Sequence, residues 1–135
     1  MEETSVAERA RGYHAAGDRN CAQCVLAALS DRTGLDEETA RRIAAGFGGG
    51  ARSGELCGAI AGAVMALGLA AGDDPRCGKP GSSVTAMTQQ LVRDFRETYG
   101  AVRCAELIRA AGGSRRCDEF IAFCAAKAAA LIDQE

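Results

Sequence analysis

The chain has 135 residues, enough for one domain of ordinary size. Glycine supplies 17 of them and alanine more still, while Leu, Ile, Val and Phe are scarce, so any core must be thin and closely packed. With 16 basic and 18 acidic residues the net charge is −2, which excludes the charge-driven disorder of a solvated tail, a nucleic-acid footprint and a polybasic membrane patch.

Ser5-Val6-Ala7-Glu8 reads as a capping box and opens a first helix that stops near Gly17. Asp18-Arg19-Asn20 makes the turn, with Asn20 as N-cap. A second helix is predicted over about 21–33, with Cys21, Cys24, Val25, Ala28 and Leu29 on one face and Gly34 ending it. Asp36 caps a third helix, which turns Ala40, Ile43, Ala44 and Phe47 inward; Glu37-Glu38 suit the positive end of its dipole. The run Gly46-Phe47-Gly48-Gly49-Gly50 breaks that helix, because consecutive glycines weaken a helix and permit positive φ.

A fourth helix is predicted over about 55–70. Within it Gly54, Gly58, Gly62 and Ala66 recur every four residues, a stripe on which another backbone can lie closely. Residues 72–83 form a loop holding both prolines, Cys77 and a solvated pair, Asp73-Asp74. The fifth helix, about 84–99, carries a seam of Val84, Met87, Leu91, Phe95 and Tyr99, and Gly100 ends it. A short helix around 103–111 buries Leu107 and Ile108, and Gly112-Gly113 closes it. The last, about 117–132, buries Phe120, Ile121, Cys124, Ala128 and Leu131. No run alternates with period 2. The expected fold is all-α: a compact bundle of six or seven short helices joined by glycine turns, with residues 1–135 as a single domain.

The N-terminal stretch is acidic and polar and lacks the basic and apolar regions of a secretory signal. The longest uncharged run, Leu56–Gly72, is short for a membrane span and dominated by Gly and Ala. These features predict a cytoplasmic protein without membrane insertion, in a compartment that keeps thiols reduced. Seven cysteines in such a compartment point to metal binding or catalysis, and an odd number cannot pair completely within one chain. The single histidine, His14, excludes His₂ and His₃ metal sites.

Cys21, Cys57, Cys104 and Cys117 share one setting, each at the start of a predicted helix just after a glycine turn. Free N–H groups and the helix dipole there favour a thiolate, the form that acts as nucleophile or metal ligand. Arg19, Arg103, Arg115 and Arg116 lie beside them in sequence and add positive charge. Soft sulfur donors suit zinc or an iron–sulfur cluster, although the separations differ from the paired knuckles of a zinc ribbon. The competing reading is packing, since reduced cysteine is a common core residue. Packing is the reading for Cys24 and Cys124, which fall mid-face, while Cys77 is a loop thiol open to oxidation. Cys21-Ala22-Gln23-Cys24 is a C-x-x-C, but without the βαβ context of a thioredoxin-like site. The glycine run lacks the Gly-Lys-Ser/Thr ending of a phosphate-binding loop; it is a turn delivering Cys57, or a set of N–H donors to sulfur.

Asn20-Cys21-Ala22-Gln23, the glycine run at 46–50, Cys57-Gly58-Ala59-Ile60-Ala61-Gly62 with Gly68-Leu69, and finally Cys104 and Cys117 occur in that order. This combination resembles the redox-active C-GCAxxG-C-C proteins, small chains marked by four cysteines and a CGAxxG motif. The resemblance implies a helical domain with Cys21, Cys57, Cys104 and Cys117 as its functional, cofactor-binding and metal-binding set. A similar four-cysteine domain is associated with an iron–sulfur cluster in split-Soret-type cytochromes; the haem half of that analogy has no C-x-x-C-H here to carry it. Cys24, Cys77 and Cys124 lie outside the four.

The expectation is a redox-active protein whose four cysteines hold an iron–sulfur cluster and pass electrons to a redox partner protein. Two alternatives stand beside it. One is metal-free thiol–disulfide chemistry between two of the four; the other is a zinc-stabilised or purely structural helical module, with a homodimer through the small-residue face of the fourth helix.

Overall fold

The computed structural model describes residues 5–72, 75–112 and 116–134. Within them the chain forms eight α-helices: α1 Val6–Ala16, α2 Cys21–Ala28, α3 Ser30–Thr33, α4 Glu37–Ala44, α5 Gly58–Ala71, α6 Ser83–Tyr99, α7 Cys104–Ala110 and α8 Cys117–Asp133. There is no strand among the described residues, only one antiparallel bridge between Leu56 and Arg103. The fold is all-α, as the sequence predicts.

Local chemistry sets most of the boundaries. Ser5 accepts from the Glu8 N–H and donates its hydroxyl to the Glu8 carboxylate, fixing the start of α1. Asn20 and Gln23 form a reciprocal capping box on α2, with both bonds near 2.9 Å. Asp36 caps α4 through the Thr39 N–H, and Ser82 caps α6 through the Thr85 N–H. The left-handed Gly17, Gly34 and Gly100 close α1, α3 and α6.

Three predicted features differ. The helix expected over 21–33 is broken after Ala28, whose carbonyl is claimed by the Arg9 guanidinium at 3.0 Å, and the chain resumes as the single turn α3. Ile43 and Phe47, expected to face inward, remain 48 % and 40 % exposed. The reason is that α4 stops at Ala44 and presents only Ala40 and Ala44 to the core. The helix expected from residue 55 starts at Gly58, because Glu55 and Leu56 are taken into the bridge region. The predicted Asp73-Asp74 pair and Arg115 lie outside the described residues.

α1, α2, α5 and α8 pack on one another, with α6 beside α5 and α8. Leu26, Leu29, Ile60, Leu67, Leu91, Phe95 and Ile121 are fully buried among alanines. Each such side chain contributes about 1.5–3 kcal/mol when removed from water. The glycine stripe of α5 is occupied by α2 of the same chain. A Cβ built at Gly62 would stand 2.5 Å from the Ala22 carbonyl oxygen, and one at Gly58 would stand 3.3 Å from the Ala22 nitrogen. That face is therefore filled within the chain and is not available to a second copy.

Between α4 and α5 the backbone makes a left-handed run. Gly49, Gly50, Ala51 and Arg52 have φ of 62°, 66°, 59° and 59°, and Glu55 N–H closes the turn onto the Gly50 carbonyl at 3.0 Å. For Ala51 and Arg52 this conformation costs about 1–2 kcal/mol each. Among the described residues they alone combine a side chain with positive φ.

Candidate four-cysteine site

The site is assembled from four separate stretches of chain. Cys21 opens α2, Cys57 is the N-cap of α5, Cys104 opens α7 and Cys117 opens α8. All four line one small cavity of about 20 Å³, roughly the space of one water. Gly49 and Gly58 form part of its wall, and Leu107, Ile108, Arg116 and Phe120 form its cover. The four cysteines singled out by the sequence are thus brought together. Cys24 and Cys124 are fully buried in the core, as packing predicts, and Cys77 sits half-buried in the loop before α6.

Two devices produce the convergence. The first is the α2–α5 contact. With no side chain at Gly58 and Gly62 the backbone of α2 settles on α5, and a Cβ at Gly58 would lie 3.4 Å from that of Cys21. Asn20 ties this corner further, since its amide donates to the Ala45 carbonyl at 2.9 Å while Gln23 donates to Arg41. The motif residues Asn20, Gln23, Gly58 and Gly62 therefore carry geometry rather than chemistry. The second device is the bridge. Cys57 N–H donates to the Val102 carbonyl at 2.8 Å, and Cys104 N–H donates to the Glu55 carbonyl at 2.6 Å. Gly50 lies against this pair, where a Cβ would meet the Glu55 backbone at 2.5 Å and the Cys104 Cβ at 2.9 Å.

The electrostatics reverse one expectation. Helix starts were expected to hold these sulfurs as thiolates, yet the Cys21 thiol is pushed well above its ordinary range, first by a hydrogen bond with Cys117 and then by burial and the neighbouring sulfurs. Burial likewise pushes Cys57 up to about 11. The Ala59 and Ile60 N–H groups of α5 act in the opposite direction, without making a full capping bond. Cys117 and Cys104 add to the upward push on Cys57. The nearby arginines do not offset this effect. Arg19 is stacked on Tyr13 and paired with Glu37, Arg103 is paired with Glu55 and Glu106, and Arg116 is paired with Glu119 above the Tyr99 and Phe120 rings. Crowded sulfurs that resist ionising one by one suit an arrangement in which a cation, or a bond between sulfurs, replaces their protons. Among the described residues, no three His, Cys, Asp or Glu side chains form a ready-made site for a single metal ion.

Sequence reasoning missed the cover and Arg52. Phe120 belongs to a cluster with Phe95, Tyr99 and Phe123, whose ring centroids lie 4.9–5.8 Å apart, and this cluster joins the cover to the core. Its residues read in the sequence only as a helical seam. Arg52 carried no signal except the glycines around it.

An all-α chain whose dispersed cysteines meet at helix starts is a four-cysteine helical protein. The chain belongs to the C_GCAxxG_C_C family, described as putative redox-active protein, whose pattern matches residues 19–131. No curated protein and no solved structure matches it. Among the described residues, no helix is long and apolar enough to cross a membrane.

Proposed function

We propose that Cys21, Cys57, Cys104 and Cys117 form a redox centre that holds an iron–sulfur cluster and serves electron transfer. The observation that carries this reading is the convergence of four soft donors, from four stretches of chain, on one cavity under an apolar cover. Four thiols are the donor set such a cluster takes; the cavity of about 20 Å³ holds only about one water as it stands, so a cluster would take its room by spreading the four sulfurs. When bound, such a cluster takes up and returns an electron. The chain's own residues supply the rest: the bridge fixes Cys57 and Cys104, the α2–α5 contact fixes Cys21, and Leu107, Ile108 and Phe120 line the cavity with apolar side chains.

A second reading rests on the hydrogen-bonded contact between Cys21 and Cys117. In it the two thiols close to a disulfide, transferring two electrons and two protons to a disulfide acceptor that leaves as two thiols.

Anaerobic purification separates the two. The first reading expects a coloured protein with bound iron and acid-labile sulfide, both lost in Cys57→Ser and Cys104→Ser variants that keep the wild-type far-UV spectrum. Colourless, metal-free protein that reversibly loses two free thiols, mapped to Cys21 and Cys117, supports the second reading against the first. Colourless protein with stoichiometric zinc overturns both.

A further inference from the structure

Beside the cysteine cavity lies a wider cleft of about 260 Å³, lined by His14, Arg19, Cys21, Gly49, Arg52, Cys117 and Asp118 among others. Cys21, Gly49 and Cys117 belong to both spaces, so the cleft is the side from which a small molecule meets two of the four sulfurs. Both of those cysteines are partly accessible, whereas Cys57 is buried.

The charges facing the cleft decide what it accepts. Asp118 is held by the His14 ring at 3.3 Å and by Arg11 at 3.4 Å. Arg19, with a side chain only 8 % exposed, is held by Glu37 and by Asp18 at 3.6 Å. These groups answer one another. Arg52 is exposed and makes no ion pair or side-chain hydrogen bond among the described residues, so of the charged residues lining the cleft it is the one without a countercharge. It stands where it does because the left-handed run turns residue 52 toward the cleft and away from a continuing helix.

The geometry points to a binding site for a small organic anion in this cleft, with its acid group on Arg52 and its other end against Cys21 and Cys117. This inference rests on the second reading above, in which Cys21 and Cys117 react as thiols. It adds the class of molecule that the centre meets, a compact carboxylate or other oxyanion, and it names Arg52 as the residue that selects it.

Iodoacetate and iodoacetamide test it directly on the metal-free full chain. Both alkylate a thiolate with the same stoichiometry: an S–C bond forms, iodide leaves and the thiol proton passes to buffer. Only iodoacetate carries a carboxylate. The rate ratio of the two reagents, read by mass spectrometry at Cys21 and Cys117, is expected to fall about threefold in Arg52→Gln, and further in Arg52→Glu, as removal or reversal of one nearby charge gives in water. The ratio at Cys77 stays constant in both variants, and added salt erases the difference between wild type and Arg52→Gln. An unchanged ratio at Cys21 and Cys117 in both variants would overturn the inference. An equal change at Cys77 would also overturn it, because the effect would then belong to the whole molecule's charge. Neither result bears on iron, sulfide or thiol pairing, so this inference and the reading beneath it fail separately.

Discussion

The two sides of the cysteine cavity are built by different means. Cys57 and Cys104 are tied through their own backbones, each N–H donating into the other's strand-like segment, with Gly50 filling the angle. Cys21 and Cys117 take their positions from helices instead, α2 laid on the glycines of α5 and α8 packed across α1, α2 and α5. The first side therefore depends on a few local hydrogen bonds, and the second on the whole core. The second side is also the one that opens on the wider cleft. Strain falls between the two sides, at Ala51 and Arg52.

Two glycine substitutions break this comparison in opposite ways. Gly62→Ala attacks the packing-borne side. The new Cβ would stand 2.5 Å from backbone rather than from a flexible side chain, so the helices must separate. Urea unfolding should show a loss of about 3 kcal/mol, the upper part of the range for overpacking. Gly50→Ala attacks the backbone-borne side, adding a clash with Glu55 to an unfavourable φ of 66°. Its expected cost is as large, about 3 kcal/mol. Its signature is local: hydrogen exchange should accelerate at the Cys57 and Cys104 amides while those of α2 and α5 stay protected. If both variants lost protection uniformly, the two sides would be one cooperative unit and the distinction would fall.

That distinction also explains what could be read from the sequence. The second side was legible, because caps such as Asn20 and Asp36, the Gly58/Gly62 spacing and the Met87–Leu91–Phe95 seam are local or periodic signals. The four cysteines could be grouped by their shared place at helix starts. The first side was not legible. A bridge one residue pair long has no period, and Leu56 and Arg103 are 47 positions apart. The left-handed Ala51 and Arg52 contradict their own residue preferences, so no propensity argument reaches them. Ionisation was misjudged for a related reason: the helix-start dipole is visible in sequence, but the desolvation that outweighs it at Cys57 depends on the assembled core.

Ionisation supplies the next test. Cys24, fully buried away from the cleft, is held up to about 11 by burial, against an ordinary value of 9.0. Between those values the unfolded chain has released this proton and the folded chain has not. The unfolded state therefore binds fewer protons and stability falls as pH rises. The contribution is complete below pH 9 and is lost through pH 11, a change of about 3 kcal/mol for this group. Cys24→Ala removes a small apolar volume at every pH, but it should flatten the decline of the urea midpoint between pH 9 and 11. A parallel decline in both proteins would assign the alkaline loss elsewhere, with Cys57 the next candidate on the backbone-borne side.

The smallest effect concerns the strained joint. Arg52→Gly relieves a left-handed residue, a gain of about 1–2 kcal/mol, while loosening the unfolded chain by about 0.4–1 kcal/mol. The balance predicts net stabilisation of about 0.5–1 kcal/mol, visible as a raised urea midpoint. Ala51→Gly, with the same φ of 59°, should gain as much, because relief depends on the backbone and not on the side chain removed. The two variants should then part company. Ala51→Gly keeps the preference of Cys21 and Cys117 for iodoacetate, and Arg52→Gly loses it. If neither variant were stabilised, the left-handed run would be no burden to the fold. If both were stabilised and both kept the preference, the strain at residue 52 would have no connection with the cleft. Stabilisation in both, with the preference lost in one alone, would show that the fold tolerates an unfavourable backbone to set a positive charge beside two of its sulfurs.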